Sequence, residues 1–277
     1  MRANLFSLQQ TSKDFEIVQK RLATGLKINS ALDDPINFFT AQEHRLRASD
    51  LAARKDGMSE AIQTIKAANV GVENINTLIA QAKSLAQSAL SVSATDDAAT
   101  FATQYSRVLQ QINMMAQDSG YKGVNLLQGA QLTVQFASEA DTSYLNLTGF
   151  GDTSTNFNVE GLDDEMTANL TTSNWVQTGD LTISTANVET SIDNLETAMG
   201  KLRVESKTLS SNLSIITARE EFTAQMINTL GDGASKLTEA DMNEEGANML
   251  TLQTRQALGT TSLSLASQAA QAVLRLF

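Results

Sequence analysis

The chain has 277 residues, 42% of them hydrophobic and 5% aromatic, and it contains one proline and no cysteine. This length and apolar content suffice for a sizeable core, and the near absence of proline lets helices run long. The formal net charge of −11 argues against nucleic acid and anionic membranes as partners. The longest apolar runs are far shorter than the roughly 20 residues of a membrane-spanning helix, so membrane insertion is not expected.

Two helices are predicted before residue 92. The first runs for about 20 residues, because its apolar side chains recur at intervals of three and four until Gly25 breaks the pattern. The segment 33–35, Asp-Asp-Pro, then looks like a helix start, with an aspartate as the cap and proline in the first helical position. The second helix is long, since an apolar stripe close to a heptad period runs from Met58 to Ala89.

A third helix is predicted between a polar turn and two glycines. The turn is the polar segment 91–97, which can cap the helix. Apolar residues from Phe101 to Met115 follow at helical spacing, and Gly120 and Gly123 end the helix.

The stretch from 129 to 187 is predicted to be an insert of a different kind, because Thr, Ser, Asn, Asp and Gly dominate it. The alternating stretches 132–136 and 144–148 predict a β-hairpin. A short helix at 163–170 and a strand at 181–183 complete the prediction for this insert.

The helical pattern returns after the insert. Steps of three and four connect positions from Ile192 to Leu230 without a slip, which predicts a helix packed against partner helices. The segment 231–233, Gly-Asp-Gly, is expected to interrupt this helix, and a final helix opens near Ala240. One side of the last helix is apolar as far as Phe277, the final residue.

These elements predict a mainly α protein with a long antiparallel helical bundle, or coiled coil, formed by its N- and C-terminal segments and a small central insert that contains the β-hairpin. Three parts are expected: terminal helices of 1–35 with 235–277, a long-helix bundle of 36–128 with 188–234, and a β-rich, solvent-facing insert of 129–187. The terminal helices alone have too few residues for a stable fold, since isolated two-helix units are marginal.

Residues that carry chemistry are scarce. His44 is the only histidine, and without cysteine or a second histidine no zinc or haem ligand set exists. A serine nucleophile would need His44 as its base, and no G-x-S-x-G motif is present. The chain is therefore not expected to be an enzyme or to bind a cofactor or metal, although carboxylate-only catalysis by Asp and Glu in the insert stays open.

The apolar faces of the terminal helices have no other visible element to cover them. Coverage by helices of neighbouring molecules is therefore favoured over an intramolecular bundle, which stays the alternative. The candidate self-assembly residues lie on these faces, and they are Leu5, Leu8, Phe15, Leu22, Leu252, Leu263, Ala266, Ala270, Val273 and Phe277.

The segment 21–34 closely resembles the amino-terminal signature of bacterial flagellins, and it reads RLATGLKINSALDD. The resemblance continues in the segments 123–127, 240–242 and 268–277, in the order found in that family. The signature positions singled out here are Arg21, Gly25, Asn29, Asp33 and Asp34.

The resemblance implies a structural subunit that self-assembles through its terminal helices into the bacterial flagellar filament, for swimming. It implies export in an unfolded state, a secreted, extracellular location in the flagellum, and terminal segments that order on assembly. The implied partners are copies of the chain itself, an export chaperone, and the filament cap and junction proteins. Hook–filament junction proteins share both terminal helices with flagellin, so a junction protein is the alternative within the superfamily.

Overall fold

The computed structural model describes residues 2–92, 94–137, 143–150, 175 and 183–274. Its helices are α1 Arg2–Thr24, α2 Pro35–Ser91, α3 Thr95–Asp118, α4 Thr185–Thr238 and α5 Met242–Leu274. A 3-10 turn at Leu126–Gln128 precedes the strands β1 Gln131–Gln135 and β2 Tyr144–Thr148. The predicted mainly α class with a small β-hairpin is therefore confirmed. Among the described residues, no helix has the length and apolarity needed to span a bilayer.

The ends of α1 and α2 form as the sequence predicts. Gly25 adopts the left-handed conformation (φ +70°) after α1, and its N–H donates to the Arg21 carbonyl oxygen at 2.7 Å. Asp34 caps α2, since its Oδ1 accepts a hydrogen bond from the Asn37 backbone N–H at 3.1 Å. Pro35 occupies the first helical position, where its missing N–H costs nothing.

The start of α3 differs from the predicted polar cap. The N-cap residue is Ala94, which makes no side-chain cap hydrogen bond, while Asp96 and Asp97 lie inside the first turn. Negative charge in the first turn interacts favourably with the helix dipole, so these aspartates stabilise the end by charge rather than by capping.

The predicted break at 231–233 is wrong, because α4 continues through it to Thr238. A glycine inside a helix costs only about 1 kcal/mol, and Ala234 and Thr238 just beyond it are both buried. His44 also packs over the second glycine, since a Cβ at that position would lie 3.7 Å from His44 Cδ2. Packing thus overrides propensity, and α5 begins at Met242, close to the predicted start near Ala240.

Contacts divide the chain into two compact units, and α2 and α4 contribute to both. Unit 1 comprises residues 1–49 and 226–277, and unit 2 comprises residues 50–225. The division differs from the three predicted parts, which stay a prediction.

In unit 2, α2 and α4 run antiparallel. Ser59 Oγ donates to Glu220 Oε1 at 2.6 Å near one end, and Lys83 Nζ donates to Glu196 Oε1 at 2.6 Å near the other. Every position of the predicted α4 heptad pattern from 192 to 230 is buried or half-buried, which confirms that face of the helix. Its members in unit 2 pack against the equally buried stripe of α2.

Helix α3 packs closely on α2 in unit 2. A Cβ built on Gly71 of α2 would lie 2.2 Å from Ser119 Oγ, so this crossing requires glycine. Tyr105 and Ile112 of α3 are buried in the same core as α2 and α4.

The predicted β-hairpin is confirmed, with Leu132 opposite Leu147 and Val134 opposite Leu145. Alternate residues point into the core, since Val134 and Leu147 are buried. The predicted helix at 163–170, and residues 181 and 182 of the predicted strand, lie outside the described residues.

Trp175 is the one residue that the structure describes between positions 151 and 182. Its ring is buried, and its centroid lies 4.7 Å from that of Tyr105. Its Nε1–H donates to Ser191 Oγ at 3.1 Å, so the polar end of this large side chain is satisfied. Trp175 therefore ties the insert to α3 and α4.

Candidate functional site in the terminal helices

The helices α1 and α5 of unit 1 pack antiparallel in one register. Asn4 Nδ2 donates to Ser262 Oγ at 3.1 Å near one end of the pair. Arg21 Nη1 donates to Glu245 Oε1 at 2.8 Å near the other end. The residue numbers of both pairs add to 266, so the two helices keep the same alignment over the 17 positions that separate these contacts.

Gly259 of α5 allows the two helices to approach closely. A Cβ built at this position would lie 2.8 Å from Leu8 Cδ2 and 3.0 Å from Leu8 Cγ, closer than carbon atoms pack. Leu8 thus fills the space that a side chain at 259 would take, and this contact agrees with the same register.

The ion pair between Arg21 and Glu245 is largely removed from solvent. The Glu245 side chain is 8% exposed and the Arg21 side chain 33% exposed. Glu245 Oε2 is buried and has no hydrogen-bond partner among the described residues. The stability of a buried carboxylate depends strongly on its counterion. Arg21 is therefore the residue that allows the Glu245 side chain to be buried.

The signature segment forms the connection between α1 and α2 and contacts the turn between α4 and α5. The Lys27 and Ile28 backbone N–H groups donate to the Thr238 carbonyl oxygen at 2.8 and 3.2 Å. The Ala240 N–H donates in return to the Gly25 carbonyl oxygen at 3.0 Å. Arg45 Nη2 adds a 3.0 Å hydrogen bond to Thr238 Oγ1. We call this set of backbone and side-chain bonds the clasp.

Polar residues of the signature segment stabilise the loop between α1 and α2 by hydrogen bonds within that loop. Asp33 Oδ2 accepts hydrogen bonds from the Asn29 and Ser30 backbone N–H groups, each at 3.0 Å. These backbone bonds, first that from Asn29, lower the pKa of the Asp33 carboxyl from its usual 3.8. The backbone N–H of Asn37 is the main cause of a lowered pKa at Asp34. Asn29 Nδ2 donates to Thr24 Oγ1 at 3.2 Å, which closes the loop onto the end of α1.

Most of the described candidate assembly residues lie on the faces by which α1 and α5 pack together. Leu252 is buried, and Leu8, Phe15, Leu22, Leu263 and Ala266 are half-buried, whereas Leu5 is exposed. The side chains of Ala270 and Val273, and the whole of Phe277, lie outside the description. Contact of these residues with other copies stays a prediction, since much of this surface is covered within the chain.

A second set of apolar residues on the same two helices remains exposed. We call it the outer set, and its members are Leu5, Phe6, Ile17, Met242, Leu250, Leu258 and Leu265. The candidates predicted from the sequence include only Leu5 of this set. The three leucines of α5 recur at intervals of eight and seven residues, which is a helical spacing that could have revealed them.

The net charge of the chain is unevenly distributed between the two units. The ranges of unit 1 hold ten of the 20 Lys and Arg residues and ten of the 31 Asp and Glu residues. Unit 2 therefore holds the other ten basic and 21 acidic residues, and it carries the whole net charge of −11. Copies can meet through unit 1 without net electrostatic repulsion there.

No group of three or more His, Cys, Asp or Glu side chains within the described ranges could hold a metal ion. In unit 1 a groove of about 440 Å³ runs between α1 and α5, and Asn4, Leu8, Arg255 and Ser262 are among its lining residues. The groove holds one ionisable side chain, Arg255, so it offers no acid–base pair for catalysis.

Two family models match this chain, one in its N-terminal part and one in its C-terminal part. Residues 2–132 match the family model of the bacterial flagellin N-terminal helical region, and residues 185–277 match that of the bacterial flagellin C-terminal helical region. The two matches leave out only Met1 and the residues between 132 and 185.

Similar proteins include flagellins that are matched over almost their full length. Flagellin FljO of Caulobacter vibrioides is 28% identical over 274 residues, which cover 99% of this chain and 94% of the relative. A flagellin of Brucella melitensis biotype 1 is 26% identical over 275 residues, which cover 99% of this chain and 95% of the relative. The crystal structure of Bacillus cereus flagellin aligns with 60% of this chain and 88% of its own, at a TM-score of 0.45 and 19% identity.

Proposed function

Since this chain belongs to the bacterial flagellin family and is a structural subunit of the flagellar filament, we propose that α1 and α5 join neighbouring copies through the outer set. The observation that carries this proposal is the exposure of large apolar side chains on both terminal helices after those helices have already packed together. Apolar surface left exposed on a chain that polymerises is the expected contact surface between subunits.

The seam between α1 and α5 has a separate role in this proposal. Its buried and half-buried residues, together with Gly259 and the Arg21–Glu245 pair, fix how the two helices face each other. The outer set then presents a defined surface, and its burial in the filament stabilises the assembly by roughly 1.5–3 kcal/mol per large apolar side chain. The candidate residues Ala270, Val273 and Phe277 are proposed, from the sequence pattern, to contact neighbouring copies as well.

The remaining expectations from the resemblance are part of the same proposal. The chain is secreted and assembles outside the cell, it has no catalytic activity, and an export chaperone and the filament cap and junction proteins are its further partners. The terminal helices form an inner layer, the long helices an outer layer, and the insert faces solvent. The neutral charge of unit 1 and the acidic surplus of unit 2 are consistent with burying the former and exposing the latter.

Elongation of filament seeds by the purified chain tests this proposal. The triple variant Leu250→Gln, Leu258→Gln and Leu265→Gln keeps side chains of similar length with good helix propensity. We expect sedimentation to show that its critical concentration for elongation rises at least tenfold, as the loss of apolar burial requires. Circular dichroism should show unchanged helix content in the free chain.

The matched control is Val204→Gln, which changes an exposed apolar side chain of unit 2. It should elongate seeds within twofold of the unchanged chain. Normal elongation by the triple variant would show that the outer set is not the contact surface. Failure of the unchanged chain to elongate seeds would refute the proposed role of the terminal helices as a whole.

A further inference from the structure

Two methionines are exposed within the described residues, Met114 at 53% and Met242 at 48%. Met242 belongs to the outer set of the terminal helices, whereas Met114 lies on α3 in unit 2. The thioether sulfur of a methionine is oxidised to a sulfoxide where an oxidant can reach it. In the described part of unit 2, Met114 is therefore the methionine whose sulfur is most open to such a reaction.

The next residue along α3 is in a different environment. Met115 is half-buried, packs against the core of unit 2, and lines a groove of about 440 Å³ between α2 and α3. Met58 of α2 is fully buried in the same core. An oxygen added to either sulfur would place a polar group among apolar side chains, which costs free energy. An oxygen added to Met114 stays in contact with water, so the fold tolerates oxidation at this position.

A hydrogen-bond donor lies beside the Met114 sulfur. Gln111 is three residues earlier on α3, and its Nε2–H donates to Met114 Sδ, with 3.6 Å between the nitrogen and the sulfur. A thioether sulfur is a weak acceptor, and this bond engages one of its two lone pairs while the other stays open to solvent. Oxidation makes the sulfur chiral. Attack at the open lone pair therefore favours one of the two sulfoxide epimers.

The charge of unit 2 indicates which oxidants reach this sulfur. Unit 2 carries the whole net charge of −11, so it repels anionic oxidants but not a neutral peroxide. In the reaction with hydrogen peroxide, the open lone pair of the sulfur forms a bond to one peroxide oxygen, and the oxygen–oxygen bond breaks. The departing hydroxide takes the proton from the oxygen now bound to sulfur and leaves as water. The sulfur loses two electrons, and the peroxide gains them.

We propose that Met114 is an oxidation site of unit 2, at which a neutral peroxide forms one preferred sulfoxide epimer because Gln111 engages one lone pair of the sulfur. Each subunit thereby consumes one equivalent of oxidant at its surface, while the methionines packed in the core stay reduced. The reaction needs only the folded unit 2, so it is independent of the assembly role proposed for the terminal helices.

Mass spectrometry of the full, unpolymerised chain after exposure to hydrogen peroxide tests the site. Trypsin releases Met114 and Met115 together in the peptide 108–122, and the fragment ions of this peptide distinguish the two positions. We expect Met114 to form sulfoxide about fivefold faster than Met115 and Met58 in the folded chain. The three rates should become similar in concentrated urea, because burial alone causes the difference. Circular dichroism should show unchanged helix content after oxidation of Met114.

The epimer ratio of the sulfoxide tests the role of Gln111. Two reductases, each specific for one epimer, measure this ratio in the digested peptide. We expect about three to one in the unchanged chain and about one to one in Gln111→Leu, which removes the donor and keeps good helix propensity. Gln110→Leu, the same change at the neighbouring exposed position, should keep the original ratio. Equal oxidation rates at Met114 and Met115 in the folded chain overturn the inference, as does an epimer ratio that Gln111→Leu leaves unchanged.

Discussion

Arg21 and Glu245 lie 224 positions apart in the chain, and they form a 2.8 Å ion pair between α1 and α5. The pair, together with the Asn4–Ser262 hydrogen bond, keeps both helices in one register. Sliding the helices by even one turn would leave the buried Glu245 carboxylate without its counterion. Burying a charged pair of this kind costs some stability through desolvation, but the pair fixes the alignment of the two helices.

Replacing Arg21 by Ala should destabilise the α1–α5 pair by roughly 2 kcal/mol, between the values for exposed and fully buried pairs because Arg21 is one-third exposed. Glu245→Gln alone should cost less, since a neutral amide is easier to bury. A double-mutant cycle on amide exchange of α1 and α5 in filaments measures the coupling between the two residues. Lys83→Ala, at a more exposed pair, is the control and should change stability by less than about 1 kcal/mol.

Gly259→Leu should force α1 and α5 apart, because its side chain would occupy the place of Leu8. We expect a loss of about 1–3 kcal/mol, as for other overpacked contacts, visible as faster amide exchange in both helices. A Cβ built on Gly246 in the same helix meets nothing within 4 Å, so Gly246→Leu should stabilise α5 by up to about 1 kcal/mol through helix propensity. Equal effects at the two positions would argue against close packing at Gly259.

The loop before α2 should respond to acid. Asp33 and Asp34 have a pKa below the usual 3.8, so they contribute stability above the unfolded-state pKa and lose it as the pH falls through the folded-state pKa. Amide exchange at Asn29, Ser30 and Asn37, corrected for intrinsic rates, should be constant well above pH 3.8 and accelerate below it.

The variant Asp33→Asn distinguishes the acid response of Asp33 from that of Asp34, because asparagine keeps an acceptor oxygen but does not ionise in this pH range. The acid response at Asn29 and Ser30 should largely disappear in this variant, while the response at Asn37 remains. An unchanged response at all three amides would show that Asp33 is not its origin.

Ser191→Ala should destabilise unit 2, because it leaves the buried Nε1–H of Trp175 without its acceptor. The expected loss is about 1–3 kcal/mol. Trp175 is the only tryptophan in the chain, so its fluorescence follows unfolding in urea without interference. Ser214→Ala, in the exposed part of the same helix, should change the midpoint very little.

Local patterns predicted much of the fold. The end of α1 at Gly25, the cap at Asp34 and the hairpin follow from backbone preferences that act within a few residues. The predicted heptad face of α4 is also confirmed, because a period that continues unbroken over many turns indicates one buried face. In contrast, the continuation of α4 through 231–233 depends on packing around His44, Ala234 and Thr238, which no local pattern contains.

The assembly surface was harder to predict, for a physical reason. Apolar residues occur on several sides of α5, so a spacing of three and four can be traced along more than one line. The line chosen from sequence, through Leu252 and Leu263, is the one that α1 covers, and Leu250 and Leu258 on another line stay exposed. Only the position of α1 determines which of these two lines is covered. A contact between residues more than 200 positions apart produces no periodic pattern in the sequence.

The separation of charge between the units has a consequence for the polymer as a material. Every added subunit brings a formal net charge of −11, and this excess of negative charge lies entirely within residues 50–225. A long filament is then a polyanion surrounded by a cloud of counterions, and two such filaments repel each other within a Debye length, about 8 Å at physiological ionic strength. Filaments of this protein should therefore stay dispersed in dilute buffer and draw together into bundles when salt compresses that cloud.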